Sequence, residues 1–246
     1  MTTTIISKET IQRLIKDVKY INKNPLTNDG IYYIHDDTDM LKGYALIIGT
    51  DDTPYYGGYY FFEFDFPHDY PHSPPKAKYC TNGDQIRFHP NLYKCGKVCV
   101  SLLNTWTGDQ WTSCQTISTV LLTLCSLLTK NPLINEPGIN LSHIDVPKYN
   151  TIVEYSNVNI AICDIVCKKK GVYNTFFDKF YPIIVEHFIK NYDKLFTFCD
   201  DKTKVHDTIF VVRTGLYSLN VTINYKTLLQ KLIDTKTLID TQKITT

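Results

Sequence analysis

Cys99 is the side chain best placed in this sequence to act as a nucleophile, and its neighbours say how a fold would present it. Val98 and Val100 flank it and Leu102 and Leu103 follow, so the backbone around the thiol belongs to a short apolar segment. His89-Pro90-Asn91 precedes it as a tight turn, with Asn91 eight residues and Gly96 three residues before the cysteine. An isolated cysteine is ordinarily a small core residue. Here the turn, the glycine and the loop that follows argue instead for a presented thiol. A thiolate is both an able attacker and a fair leaving group. No His-Cys dyad is evident, and His89 reads as a turn histidine, not a base. Trp106 and Trp111 read as packing around the loop.

This constellation resembles the active-site segment of ubiquitin-conjugating enzymes, where a His-Pro-Asn turn, a glycine three before the cysteine and a downstream tryptophan recur at this spacing. The similarity extends to Tyr55 through Pro75, with Gly57-Gly58, Phe66-Pro67, Asp69-Tyr70-Pro71 and Pro74-Pro75 at the corresponding places. Asn104 to Gly108 lengthens the loop after the cysteine relative to the compact members. With Asn135-Glu136-Pro137-Gly138, it resembles the large branch that carries extra C-terminal helices. Some positions depart from the compact members. His72 and Thr112-Ser113-Cys114 replace residues that meet a ligase, and Ser101 replaces a common acidic residue two after the cysteine.

The resemblance implies that Cys99 accepts the C-terminal carboxyl of ubiquitin, or of a ubiquitin-like protein, as a thioester. The donor is an activating enzyme that spends the ATP, so this chain is expected to bind no cofactor itself. A substrate lysine then attacks the thioester, with a ubiquitin ligase expected as the partner that brings the protein substrate. A free lysine, with pKa about 10.4, is neutral in roughly one molecule in 2,500 at pH 7, so the amine needs orienting or desolvating. Glu136, beside Asn135, is the candidate for that help. Asn91 would either donate its amide to the developing oxyanion or brace the loop. Two alternatives are a non-catalytic, ubiquitin-binding scaffold of the same fold, and a zinc module using Cys95, Cys99, Cys163 and Cys167. Neither cysteine pair of the latter has the tight C-x-x-C spacing.

The elements that must hold this segment can be read from periodicity. Ile11, Leu14, Ile15, Val18 and Ile21 stripe an opening helix capped by Ser7. Turn signals at Asn28-Asp29-Gly30, Asp51-Asp52 and Gly57-Gly58 then separate strands. Tyr60, Phe62, Phe64 and Phe66 share one face of the clearest strand, while Glu63 and Asp65 predict a wetted opposite face. A Pro-rich stretch leads to a strand near Lys76 to Tyr79. After the cysteine, Thr112 and Gln115 predict a capping box for a helix running to about Thr129. Pro147 opens a third helix ending near Lys170-Gly171. Further helices are expected over Val172 to Phe198, broken or kinked at Pro182, and from about Tyr225 to Asp240.

This order is α+β, the order of the ubiquitin-conjugating fold. The expected division is a catalytic core over residues 7–170 and a docked C-terminal helical extension over 171–246. The extension carries no motif resembling an active site and is expected to select partners. Net charge is +1, from 26 basic and 25 acidic side chains, which argues against a nucleic-acid binder. No apolar run approaches the ~18 residues of a membrane span, and Met1 to Ile6 holds no signal-peptide core. Eight cysteines in that setting are expected to be reduced thiols in cytosol or nucleus. The abundance of Ile, Asn, Lys, Thr and Tyr suggests AT-rich coding, as in a protist or a large DNA virus acting in a host cell.

Overall fold

The opening helix α1 spans Lys8–Lys23, and Ser7 caps it by accepting the Thr10 amide at 3.0 Å. A computed structural model describes residues 6–81, 83 and 86–244; the stretch before Ile6, read above for a signal sequence, lies outside them. Helix α1 buries Leu14, Ile21 and the carboxylate of Asp17, while Ile15 of the stripe stays exposed. Asp17 is not left unpaired in that interior. Arg13 Nε donates to it at 2.9 Å and the Tyr70 hydroxyl at 2.5 Å. Because Arg13 also donates to the carbonyls of Ser113 and Gln115, α1 is tied to the chain beyond the cysteine.

Four strands follow as an antiparallel meander in the order β1 (Ile31–His35), β2 (Lys42–Ile48), β3 (Tyr59–Asp65) and β4 (Lys76–Tyr79). In its register Phe62 stands between Ala45 and Tyr79, and Phe64 between Gly43 and Ala77. Tyr60, Phe62, Phe64 and Phe66 fill the main core with α1 and the segment around the cysteine, as their alternation requires. The opposite face departs from the sequence expectation. Glu63 and Asp65 do sit near water, both paired with Lys42, but Tyr59 and Phe61 are fully buried. Phe61 stacks on Phe177 with ring centroids 4.1 Å apart, and the Tyr59 hydroxyl donates to the Ile184 carbonyl at 3.1 Å. A second apolar cluster covers this face, drawn from residues between Val158 and Ile239.

Helix α2 spans Ile117–Cys125, later and shorter than its apolar stripe predicts. Its cap is Thr116, not Thr112: Thr116 and Thr119 each take the other's amide through the side chain. Arg13 holds the carbonyls of Ser113 and Gln115, so that stretch is drawn onto α1 before the helix can begin.

Helix α3, Asp145–Ser156, runs on as a π-helical stretch, Asn157–Asp164. The Asn157 side chain explains the widened turn. Its Oδ1 accepts the Tyr60 hydroxyl at 2.5 Å and its amide donates to the Tyr56 carbonyl at 2.8 Å. Gly58 makes room for it, since a Cβ there would lie 1.9 Å from Asn157 Oδ1.

The C-terminal part differs from its expectation in two ways. Pro182 does not break a helix; it occupies the first turn of α4, Tyr181–Val205, where a missing N–H costs nothing. Between α4 and α5 (Tyr225–Ile244) lies an unforeseen hairpin, β5 (Phe210–Arg213) with β6 (Asn220–Ile223). Helices α4 and α5 pack on the π-helical stretch and the outer sheet face through Ile184, Phe188, Leu228 and Leu232. Val212 and Val221 of the hairpin touch both apolar clusters. Among the described residues, no helix is long and apolar enough to cross a membrane.

Candidate active site

The segment around Cys99 is built from one residue that bonds across it twice. Asn91 accepts the Cys99 amide through its own carbonyl at 2.9 Å, and its side-chain Nδ2 donates to the Cys99 carbonyl at 2.6 Å. Both backbone polar groups of the cysteine are thereby occupied, which fixes the direction of its side chain. Val98 and Val100 on either side are sunk in the main core. Between Asn91 and Cys99 the chain reverses, with the Gly96 amide donating to the Tyr93 carbonyl at 2.9 Å. Gly96 has φ +89°, and a Cβ there would lie 3.0 Å from Lys78 and from the Tyr79 carbonyl. Only glycine fits that turn without strain.

Beyond Cys99, the Thr105 hydroxyl accepts the Val100 amide and donates to its carbonyl, both at 3.0 Å. This closes a short turn over Ser101–Leu103, after which residues 104–110 loop into solvent. The loop returns at Trp111, whose amide donates to Asn104 Oδ1 at 2.8 Å and whose indole donates to the Pro71 carbonyl at 2.7 Å. Trp111 is thus a packing residue, whereas Trp106 is exposed on the loop. Cys99 itself is only 2% exposed, so the thiol is not presented to solvent as the sequence predicts: the valines on either side draw this stretch into the core.

His89 is fully buried and serves the turn. Burial, with the nearby Arg87 charge second, pushes its pKa down to about 3. It is neutral at physiological pH, and its Nδ1 accepts the Asn91 amide at 3.0 Å. Its Nε2 lies 3.3 Å from the side-chain amide of Asn135. Glu136, the next residue, does not stand free: the Tyr217 hydroxyl, from the hairpin connection, donates to its Oε2.

Sequence reasoning missed Arg87, Tyr149 and Tyr217. The Arg87 guanidinium is sandwiched between the rings of Tyr93 and Tyr217, 3.9 and 4.1 Å from their centroids. It donates to the Pro90 carbonyl inside the turn, and its own carbonyl accepts the Tyr149 hydroxyl at 2.5 Å. Arg87, two residues before His89, was within sight of the motif. Tyr149 and Tyr217 carry no local signal, being single aromatics brought in by the fold.

The four cysteines of the zinc alternative are not gathered. Cys95 is exposed at the turn, and Cys163 is buried in the second cluster, where burial pushes its thiol up to about 12. Among the described residues, no group of three or more His, Cys, Asp or Glu is placed to hold a metal ion. Two of the departures lie beside α1, while Ser101 lies in the short turn after the cysteine. His72 pairs with Glu9 at 3.2 Å, and the Ser113 carbonyl accepts from Arg13 at 2.6 Å.

Against known proteins, the family model described as ubiquitin-conjugating enzyme matches residues 13–155, a span that includes every residue of this site except Tyr217. Human ubiquitin-conjugating enzyme E2 Z is 41% identical over 157 residues, 63% of this chain and 44% of the relative. The protein of that name from Danio rerio is 40% identical over 163 residues, covering 65% of this chain and 49% of the relative. That from Xenopus tropicalis is 37% identical over 199 residues, 80% of this chain and 62% of the relative. The chain spans roughly half the length of these curated relatives.

Proposed function

Because the chain belongs to the ubiquitin-conjugating enzyme family, we propose that it carries ubiquitin, or a ubiquitin-like protein, as a thioester on Cys99 and passes it to a lysine amine. In the first step the Cys99 thiolate attacks the thioester carbonyl on an activating enzyme, forming a new C–S bond and releasing that enzyme's thiol. Exchange between thiols is near-balanced and needs chiefly proximity. In the second step a neutral lysine amine attacks the same carbonyl. An oxyanion develops, the nitrogen gives up one proton to water, the C–S bond breaks, Cys99 leaves as thiolate and an isopeptide bond remains.

The observation that supports this reading is the double hold of Asn91 on the Cys99 backbone, which fixes the motif cysteine in one place. We assign Asn91 first to bracing. An amide nitrogen carries two hydrogens, so the brace does not use up its capacity to donate to an oxyanion. Glu136 is assigned to orienting the incoming amine, with its Oε2 held by Tyr217. A ligase and a protein substrate complete the set of partners, and the ligase would meet a polar surface at His72 and Thr112 to Cys114. The free state of the eight cysteines suits a reducing compartment.

The test is direct. Incubated with ubiquitin, ATP and a panel of activating enzymes, the chain should form an adduct that a reductant removes. Cys99→Ala should abolish it and Cys99→Ser should trap a slower, reductant-resistant oxyester. A thioester that persists in Cys99→Ala overturns the assignment.

A further inference from the structure

We propose that Tyr217, in the connection of the C-terminal hairpin, is a positioning residue for lysine transfer that holds both Glu136 and the turn bearing Asn91; this rests on the reading of Cys99 above. Two contacts of one side chain carry the inference. The hydroxyl donates to Glu136 Oε2 and so holds the direction of that carboxylate. The ring covers one face of the Arg87 guanidinium, with Tyr93 on the other, and Arg87 in turn donates to the Pro90 carbonyl next to Asn91. A chain of contacts thus runs from Tyr217 through Arg87 and Pro90 to Asn91 and the Cys99 carbonyl.

The backbone at this place is itself unusual. Tyr217 and Ser218 both adopt left-handed conformations, with φ 60° and 48°, which side-chain-bearing residues seldom do. That conformation is held in place by neighbours. The Leu216 amide donates to Asp145 Oδ2 at 2.9 Å, and the Thr214 hydroxyl donates to the Leu216 carbonyl at 2.6 Å. Strain kept at one residue by several bonds marks a side chain whose direction matters. Burial and the Glu136 charge push the Tyr217 pKa up, so the hydroxyl stays protonated and remains a donor at neutral pH.

The experiment separates charging from transfer. Full-length wild type, Tyr217→Phe, Tyr217→Ala, Glu136→Ala and the Tyr217→Phe/Glu136→Ala pair are charged with ubiquitin, then chased with free lysine over a concentration series. Melting temperatures are recorded for each. Tyr217→Phe keeps the ring and loses one hydrogen bond to a charged group, so transfer should fall about fivefold while charging is unchanged. Tyr217→Ala also releases Arg87 and should slow transfer by about tenfold or more. In the Glu136→Ala background, Tyr217→Phe should have no further effect, because the hydroxyl acts through that carboxylate.

A folded Tyr217→Ala that transfers at the wild-type rate overturns the proposal. So does a Tyr217→Phe loss that persists undiminished without Glu136, or one that falls equally on charging with a lowered melting temperature. If wild type itself forms no thioester with any activating enzyme, the reading of Cys99 fails first and takes this one with it.

Discussion

Asn91 bonds to the very residue it is expected to serve, and this decides what its removal should do. Asn91→Ala strips the Cys99 carbonyl of its donor at 2.6 Å. Losing one partner of a buried hydrogen bond costs about 1–3 kcal/mol. A lowered melting temperature and a slowing of both charging and transfer are therefore expected; loss confined to transfer would make the amide an oxyanion donor instead. His89 gives a second prediction. Its folded pKa of about 3 lies below the unfolded value of about 6.5, so the native state refuses a proton that the unfolded chain accepts. The resulting stability is fully present above about pH 6.5 and is lost as pH falls toward 3, amounting to about 2 kcal/mol between pH 6.5 and 5. His35 and His187, also pushed down by burial, add to the same slope. Urea unfolding midpoints across that range should fall, and His89→Gln should remove most of the slope. At this scale the sequence spoke plainly for Cys99, Asn91 and Gly96, whose types and spacing are local. It was silent on Tyr217, which reaches Glu136 across 81 positions of chain.

Among the elements, legibility follows how local the cause is. Ser7 caps α1 as its spacing to the apolar stripe predicts, because the cap and the amide it binds are three residues apart. The capping box at Thr112 failed for a non-local reason, since Arg13 on α1 claims the carbonyls of Ser113 and Gln115. This makes a paired prediction. Thr116→Ala should cost about 1 kcal/mol of stability, the usual worth of an N-cap side chain, while Thr112→Ala should leave the melting temperature nearly unchanged. The reverse outcome would return the helix start to Thr112. The hairpin escaped notice because its strands are only four residues long and the exposed position of β5 within Phe210 to Val212 is itself apolar, Val211, which hides the alternation there. The π-helical stretch is set by Asn157 inserting between Tyr60 and Tyr56, a tertiary event that leaves no periodic mark.

At the scale of the molecule, the sheet is enclosed on both faces, and the second covering comes chiefly from residues past 157. Removing the chain after Lys170 would uncover Tyr44, Leu46, Tyr59 and Phe61, of which the last three are fully buried now. Each such side chain is worth about 1.5–3 kcal/mol when buried. The truncated chain should therefore aggregate or melt well below the full chain, and any soluble fraction should charge Cys99 while transferring slowly to lysine, having lost Tyr217. A truncated chain that melts like the full one would show that the outer face needs no cover. Synthesis runs from the N-terminus, so all four strands leave the ribosome long before α5 exists. For that interval the nascent chain carries an apolar sheet surface with its lid still untranslated. Arrival of Phe177 and the start of α4 against Phe61 and Tyr59, not pairing of the strands, is then the event that ends the exposure.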